Sequence, residues 1–159
     1  MSAASRYIKS LGRLQWVIEN QSKDLNHADS MLQPPFQGNC LNWNLGHIMV
    51  YREQNLGRLD GESAYDPEEF AIYGAGSPAL TDPNLAVPLD ELLTRLAALK
   101  DKFVAALENV SDADLAEVLN PERGTTLDDY LDFQMFHEAL HLGELTLLRQ
   151  LAGKDDQVI

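Results

Sequence analysis

The sequence predicts an all-α fold, an up-and-down-type four-helix bundle. Three observations lead there. Four segments repeat apolar residues at steps of three and four, the spacing of one helix face. Proline- and glycine-bearing stretches separate them. No strand-like alternation is visible anywhere in the 159 residues.

In the first segment Tyr7, Leu11, Leu14 and Ile18 recur at helical steps, which predicts a helix from about Ala3 to Asn20. A polar stretch with Pro34, Pro35 and Gly38 then breaks the chain, because Pro-Pro cannot continue a helix. Asn39 is the expected N-cap of a second helix ending near Gly57 or Arg58. One strip of that helix carries Leu41, Leu45, Ile48 and Arg52. Another carries Asn44, His47, Tyr51 and Gln54.

Residues 58–87 have no sustained period and read as a long loop, either a lid or a wrap packed on the bundle. Residues 66–70 suit one helical turn with Pro67 at its first position. Pro88 opens the third helix, whose stripe is Leu89, Leu92, Leu93, Leu96, Leu99, Phe103 and Leu107. Ser111 with Asp114 predicts a short extra capped helix to about Leu119. Thr126 with Asp129 caps the fourth helix, expected to reach Ala152, with Gly153 as its stop. The whole chain, 1–159, is expected to form a single bundle domain.

Composition narrows the function. Apolar residues make up 45% and charged residues 23%, an ordinary globular balance. The formal net charge is -13, with 25 acidic residues against 12 basic, and there is no dense Lys/Arg run. Counterion release needs clustered cations, so no nucleic-acid partner is expected. No run of 18 apolar residues is present, and the first residues lack a secretory apolar core, so neither a membrane span nor export is expected. The single cysteine, Cys40, admits neither an intramolecular disulfide nor a cysteine cluster, and reads as a small buried hydrophobe. The expected compartment is the cytoplasm.

The chemistry lies in the histidines. His137 and His141 sit four apart, a step of about 40° and 6 Å on a helix, so both rings point the same way. That geometry lets two imidazoles reach one metal ion. Tyr130, Gln134, His137, His141 and Glu144 share one strip of the fourth helix, where a structural bundle would place leucines. The polar strip with His47 is its match, and the two are expected to face each other across a pocket. The spacing alone also admits an exposed pair or two hydrogen-bonded core histidines. His27, in the polar linker, reads as solvent-exposed.

Asn42-Trp43-Asn44-Leu45-Gly46-His47, followed by His137-Glu138-Ala139-Leu140-His141-Leu142-Gly143-Glu144-Leu145, resembles the DinB/YfiT-like superfamily, and more narrowly its DinB-like metal-binding, damage-inducible branch. The likeness spans nearly the whole chain. It implies a four-helix bundle with one divalent ion per chain on three histidines, here His47, His137 and His141. It further implies a metal-dependent transferase or hydrolase, some relatives using a low-molecular-weight thiol. The alternative is a non-catalytic metal-binding or stress-response module.

His137-Glu138-Ala139-Leu140-His141 also fits the two-histidine zinc-peptidase pattern. The metzincin extension is missing, and only 18 residues after His141 remain to supply a further ligand. A peptidase is therefore disfavoured, and Glu138 is assigned to the bundle flank or to contact with a ligand. Three imidazoles leave a coordination position open, where water would sit with a lowered pKa. No fourth protein donor is expected, and Glu144 is assigned to an imidazole N–H. Zinc is favoured by availability, with nickel or iron next. Gln54, Tyr51, Gln134, Tyr130, Glu138 and Glu144 are the candidates for orienting an unidentified small-molecule substrate. The fourth helix has a second, wholly apolar strip of Phe133, Phe136, Leu140, Leu147 and Leu151, which predicts a homodimer unless the long loop and the short helix cover it.

Overall fold

The computed structural model describes residues 3–60, 66–154 and 156. It is all-α apart from one small hairpin. The long helices are α1 (Ala3–Ser22), α3 (Leu41–Asp60), α4 (Leu89–Leu107) and α6 (Leu127–Leu151). Short helices α2 (His27–Ser30) and α5 (Asp112–Leu115) lie between them, with a 3-10 turn at Ala71–Tyr73. The apolar stripes read from the sequence are the ones that pack. Tyr7, Leu11, Ile18, Leu41, Leu45, Ile48, Leu92, Leu96, Phe103 and Leu107 belong to one continuous buried core.

Packing is closest between α3 and α4, α1 and α6, α3 and α6, and α1 and α4. The order around the bundle is therefore α1, α4, α3, α6. The connections from α1 to α3 and from α4 to α6 each cross a diagonal, so consecutive long helices are not all neighbours as in a simple up-and-down bundle. Both crossings are long, and each carries a short helix of its own. The consequence is that α3 and α6 lie side by side.

Helix ends follow local chemistry. Thr126 and Asp129 cap α6 reciprocally, as do Ser111 and Asp114 for α5. Gly153 takes φ 77° just beyond α6, where a side chain would be strained. Several expected boundaries shift. The second long helix begins at Leu41 rather than directly after Asn39, and runs on to Asp60. The helix expected to reach Leu119 stops at Leu115. Val118–Asn120 instead pairs antiparallel with Thr125–Thr126 through a turn at Gly124, φ 65°. Two and three residues are too few to show alternation, which is why this hairpin escaped the sequence pattern. The helical segment expected at Pro67 is a turn, and the 3-10 helix follows it at Ala71.

His27 is not solvent-exposed. It opens α2, capped by Asn26 and Asp29, and lies half-buried with Nε2 near the Pro83 carbonyl at 3.4 Å. Among the described residues no helix is long and apolar enough to cross a membrane.

One polar contact runs through the core. Arg52 of α3 and Glu138 of α6 are both fully buried and form a two-point ion pair, Nε donating at 3.1 Å and Nη2 donating to the other carboxylate oxygen. Arg52 Nη1 also donates to Gln15 Oε1 at 2.7 Å and to the Leu96 carbonyl at 3.0 Å, so one guanidinium ties together all four long helices. Gln134 donates to Glu138 at 3.2 Å and accepts from Asn55 at 2.8 Å. Glu138 is thus a buried structural anion, not a flank residue. Removing one member of a buried pair leaves the other charge without compensation, at about 3–5 kcal/mol. Glu138→Ala is expected to destabilise the metal-free protein by about that amount, read as the loss in unfolding free energy by urea titration.

Candidate metal centre

His47 on α3 and His137 and His141 on α6 converge, their ligand atoms all within 4.8 Å of one another. The two polar strips therefore face each other as their spacing predicted. Among the described residues this is the one cluster of its kind.

The hydrogen bonds behind the rings decide which nitrogens face inward. His47 Nδ1 lies 2.6 Å from the Tyr73 carbonyl. A carbonyl can only accept, so Nδ1 carries the proton and Nε2 keeps its lone pair. His141 Nδ1 lies 2.7 Å from Asn44 Oδ1. Asn44 uses its amide nitrogen on the Cys40 carbonyl at 3.1 Å, which leaves Oδ1 as the acceptor and Nδ1 of His141 as the donor. Its Nε2 is likewise left with a lone pair, 3.2 Å from Nε2 of His137. Two nitrogens bound to zinc at about 2.0–2.1 Å with tetrahedral angles stand about 3.3–3.4 Å apart. The donor set and its inward lone pairs fit a divalent ion.

Tyr73 does more than accept one proton. Its ring lies where a Cβ on Gly46 would come within 2.2 Å, so α3 admits only glycine there. Its hydroxyl donates to Asn42 Oδ1 at 2.9 Å and accepts from the Val87 amide at 2.8 Å. Burial pushes this phenol up to about 12. The described part of the 58–87 loop is consequently a packed wrap that supplies one outer contact to the cluster. Trp43 stacks on His47 at 4.5 Å between ring centres, held by its indole N–H on the Ile72 carbonyl and Ser77 Oγ, each at 2.9 Å. Tyr51 leans over His47 and His137 at 4.8 and 4.3 Å, and Phe133 stacks on His137 at 5.4 Å.

The other candidates separate. Glu144 has Oε2 3.5 Å from His141 Nδ1, the outward nitrogen, so it meets an imidazole N–H as expected, though Asn44 is the nearer partner. The hydrogen bond to His141 holds its carboxyl below the usual carboxylate range. Glu138 and Gln134 point into the buried network of Arg52 and are not at the cluster. A zinc-peptidase base would have to face the ion, so the position of Glu138 argues against that chemistry. Tyr130 lies under the Arg58 guanidinium at 4.4 Å, further along the same seam. Gln54 is half-buried on α3 beyond Tyr51. Sequence reasoning passed over Asn44, Trp43 and Tyr73 as supports of the rings. A glycine inside a helix beside His47 was the available signal of a close approach.

A cleft of about 210 Å³ opens beside His141, lined by residues of the 36–39 segment and by Trp43, Glu144, Leu147 and Leu148. This cleft lies under the proline-bearing connection. The 58–87 loop overlies a separate cleft of about 260 Å³ between α3 and α4, with Glu53, Arg95 and Lys102 on its walls.

Comparison with known proteins agrees with this architecture. A sequence profile of the DinB superfamily matches residues 13–145. The chain belongs to the DinB superfamily. No curated protein matches it. The crystal structure of a conserved protein from Enterococcus faecalis is similar, with a TM-score of 0.76 and 19% identity, over 97% of this chain and 99% of that one. At that identity the likeness speaks for the fold alone.

Asn44→Ala should weaken divalent-metal binding about 10–100-fold by freeing the His141 ring, measured by competition with a chelating dye. A second expectation concerns pH. His137 is lowered to about 4, first by burial and then by its histidine neighbours, and burial also lowers His47. An unfolded histidine titrates near 6.5. The unfolded chain then binds more protons below that value, so metal-free stability should hold above about pH 6.5 and fall toward about 4. Urea unfolding at pH 7.5 and 5.0 reads the difference, and His137→Gln should reduce it.

Proposed function

We propose that this DinB-superfamily protein is a metal-dependent enzyme acting on a small molecule. It would hold one divalent ion on His47, His137 and His141 and catalyse a transfer or a hydrolysis, the transfer drawing on a low-molecular-weight thiol. The observation that carries this reading is the convergence of three inward-facing Nε2 atoms beside an accessible cleft. No Cys, Asp, Glu or further His joins the three histidines among the described residues. A purely structural site would be closed by one. The bound ion would supply Lewis-acid polarisation at neutral pH. Zinc is the expected metal, with nickel or iron as alternatives of the same ligand chemistry.

The chain's own residues have separate tasks in this reading. Tyr73 and Asn44 keep the histidine tautomers that offer Nε2. Trp43, Tyr51 and Phe133 wall the cluster with aromatic surface, which limits water around it. Glu144 stands at the lip of the cleft as a hydrogen-bond acceptor. The cytoplasm is the proposed compartment, and no nucleic acid is a proposed partner, on the strength of the lone cysteine and the charge of -13.

Purified protein should carry close to one divalent ion per chain by elemental analysis. The double variant His137→Ala/His141→Ala should carry none. Full metal content in that variant would remove the assignment. Thiol-transfer and ester-hydrolysis screens of loaded protein should find activity that His47→Ala lacks, and a loaded protein inert in both would favour the non-catalytic module.

The homodimer is part of the same proposal. Phe133, Phe136, Leu140, Leu147 and Leu151 are 40–59% exposed along α6, covered neither by α5 nor by the described part of the long loop. A second copy of the chain would bury them. Light scattering at micromolar concentration is expected to give twice the chain mass of 17.7 kDa. A monomer mass would count against it.

A further inference from the structure

The cleft beside His141 has a chemical character that narrows the substrate. Phe36, Trp43, Leu147 and Leu148 line it with apolar surface, and Gln37 and Asn39 add neutral amides. Its ionisable groups are His141, whose Nδ1 proton is already given to Asn44, and the carboxylate of Glu144. Glu144 turns Oε2 toward His141, yet its side chain remains 56% exposed. Neither lysine nor arginine is among the described residues of the lining. A ligand carboxylate or phosphate would have no countercharge here and would lie against Glu144, in a chain of net charge -13. A ligand ammonium group would instead pair with that carboxylate and lie near aromatic rings, whose faces attract cations. The volume, about 210 Å³, is below that of a drug-sized pocket and suits a fragment-sized body.

We propose that this cleft holds the non-reacting part of a small cationic substrate, with an apolar body of phenyl size against Phe36, Trp43 and Leu148 and a primary ammonium group against Glu144. The inference rests on the metal-centre reading for what is done to that substrate, since His141 joins cleft and cluster. It sets the charge preference independently, from the lining alone. It disfavours polyanionic small thiols as occupants of this cleft.

The test uses the full chain, metal-free at first, so that direct coordination of a ligand carboxylate does not contribute. Three probes of one shape are titrated at pH 7 by amide NMR: 2-phenylethylamine, 2-phenylethanol and 3-phenylpropanoate. The amine should shift the amides of Gln37, Gly38 and Asn39 and bind about tenfold more tightly than the carboxylate, with the alcohol between them. Glu144→Gln, a change at an exposed side chain, should bring the amine to the level of the alcohol and leave the alcohol unmoved. Phe36→Ala should weaken all three. Equal or tighter binding of the carboxylate overturns the proposal, as does an amine preference that survives Glu144→Gln. So do shifts that map away from residues 36–39 and 144–148, or no binding of any probe. Calorimetric titration of the same preparation with Zn²⁺ separates the two readings. Amine preference without metal binding removes only the metal centre, and metal binding without amine preference removes only this assignment.

Discussion

The guanidinium of Arg52 is buried among four helices with a carboxylate, an amide and a carbonyl as its acceptors. A charge in that position tolerates little sliding, because each lost acceptor leaves a desolvated donor. Its partner Glu138 is the residue next to His137, and Arg52 itself follows His47 by little more than one turn. The pair therefore sets the register between the two helices that carry the histidines. The diagonal crossings bring α3 and α6 together, and the ion pair fixes how they are aligned along their length. Hydrophobic packing alone would leave that alignment less sharply specified, since apolar contacts have no direction.

Around the histidines a second layer converts proximity into defined donors. A free imidazole can carry its proton on either nitrogen. Here backbone and amide acceptors hold it on the outer nitrogen of His47 and His141. The acceptor for His47 comes from the long loop, and it reaches the ring because Gly46 leaves room for Tyr73. A loop that could have been a lid is thus part of the support for the centre. The aromatic rings over the imidazoles add a low-dielectric wall, consistent with the burial that depresses His47 and His137.

The cluster and the cleft have opposite electrostatic demands. The three imidazoles suit a cation of borderline softness. The neighbouring cleft carries a carboxylate and apolar walls, and so suits an organic cation with a small hydrophobic body. Two positive species side by side would repel, and Glu144, beside His141 in the cleft wall, adds a compensating negative charge. The apolar strip of α6 also touches both regions, through Phe133 on His137 and Leu147 on the cleft wall.

By itself the sequence determined the four long helices, the short capped one before the last, and which histidines could share a site. Apolar residues at helical steps, two capping pairs and the breakers between them are local signals, and a helix forms or ends on local terms. The one-turn spacing of His137 and His141 belongs to the same class, since a single helix dictates it. The tertiary structure decided what depends on distance across the chain. Which long helices are neighbours, that Arg52 meets Glu138 86 positions away, and that Tyr73 reaches His47 across 26 all follow from packing. Strip patterns name the face of a helix without naming its partner. Glu138 read as a flank residue or as a contact of a ligand, and only the opposing guanidinium made its burial favourable. The cleft beside His141 was invisible for the same reason, as its walls come from the 36–39 segment and from α6, more than 100 residues apart.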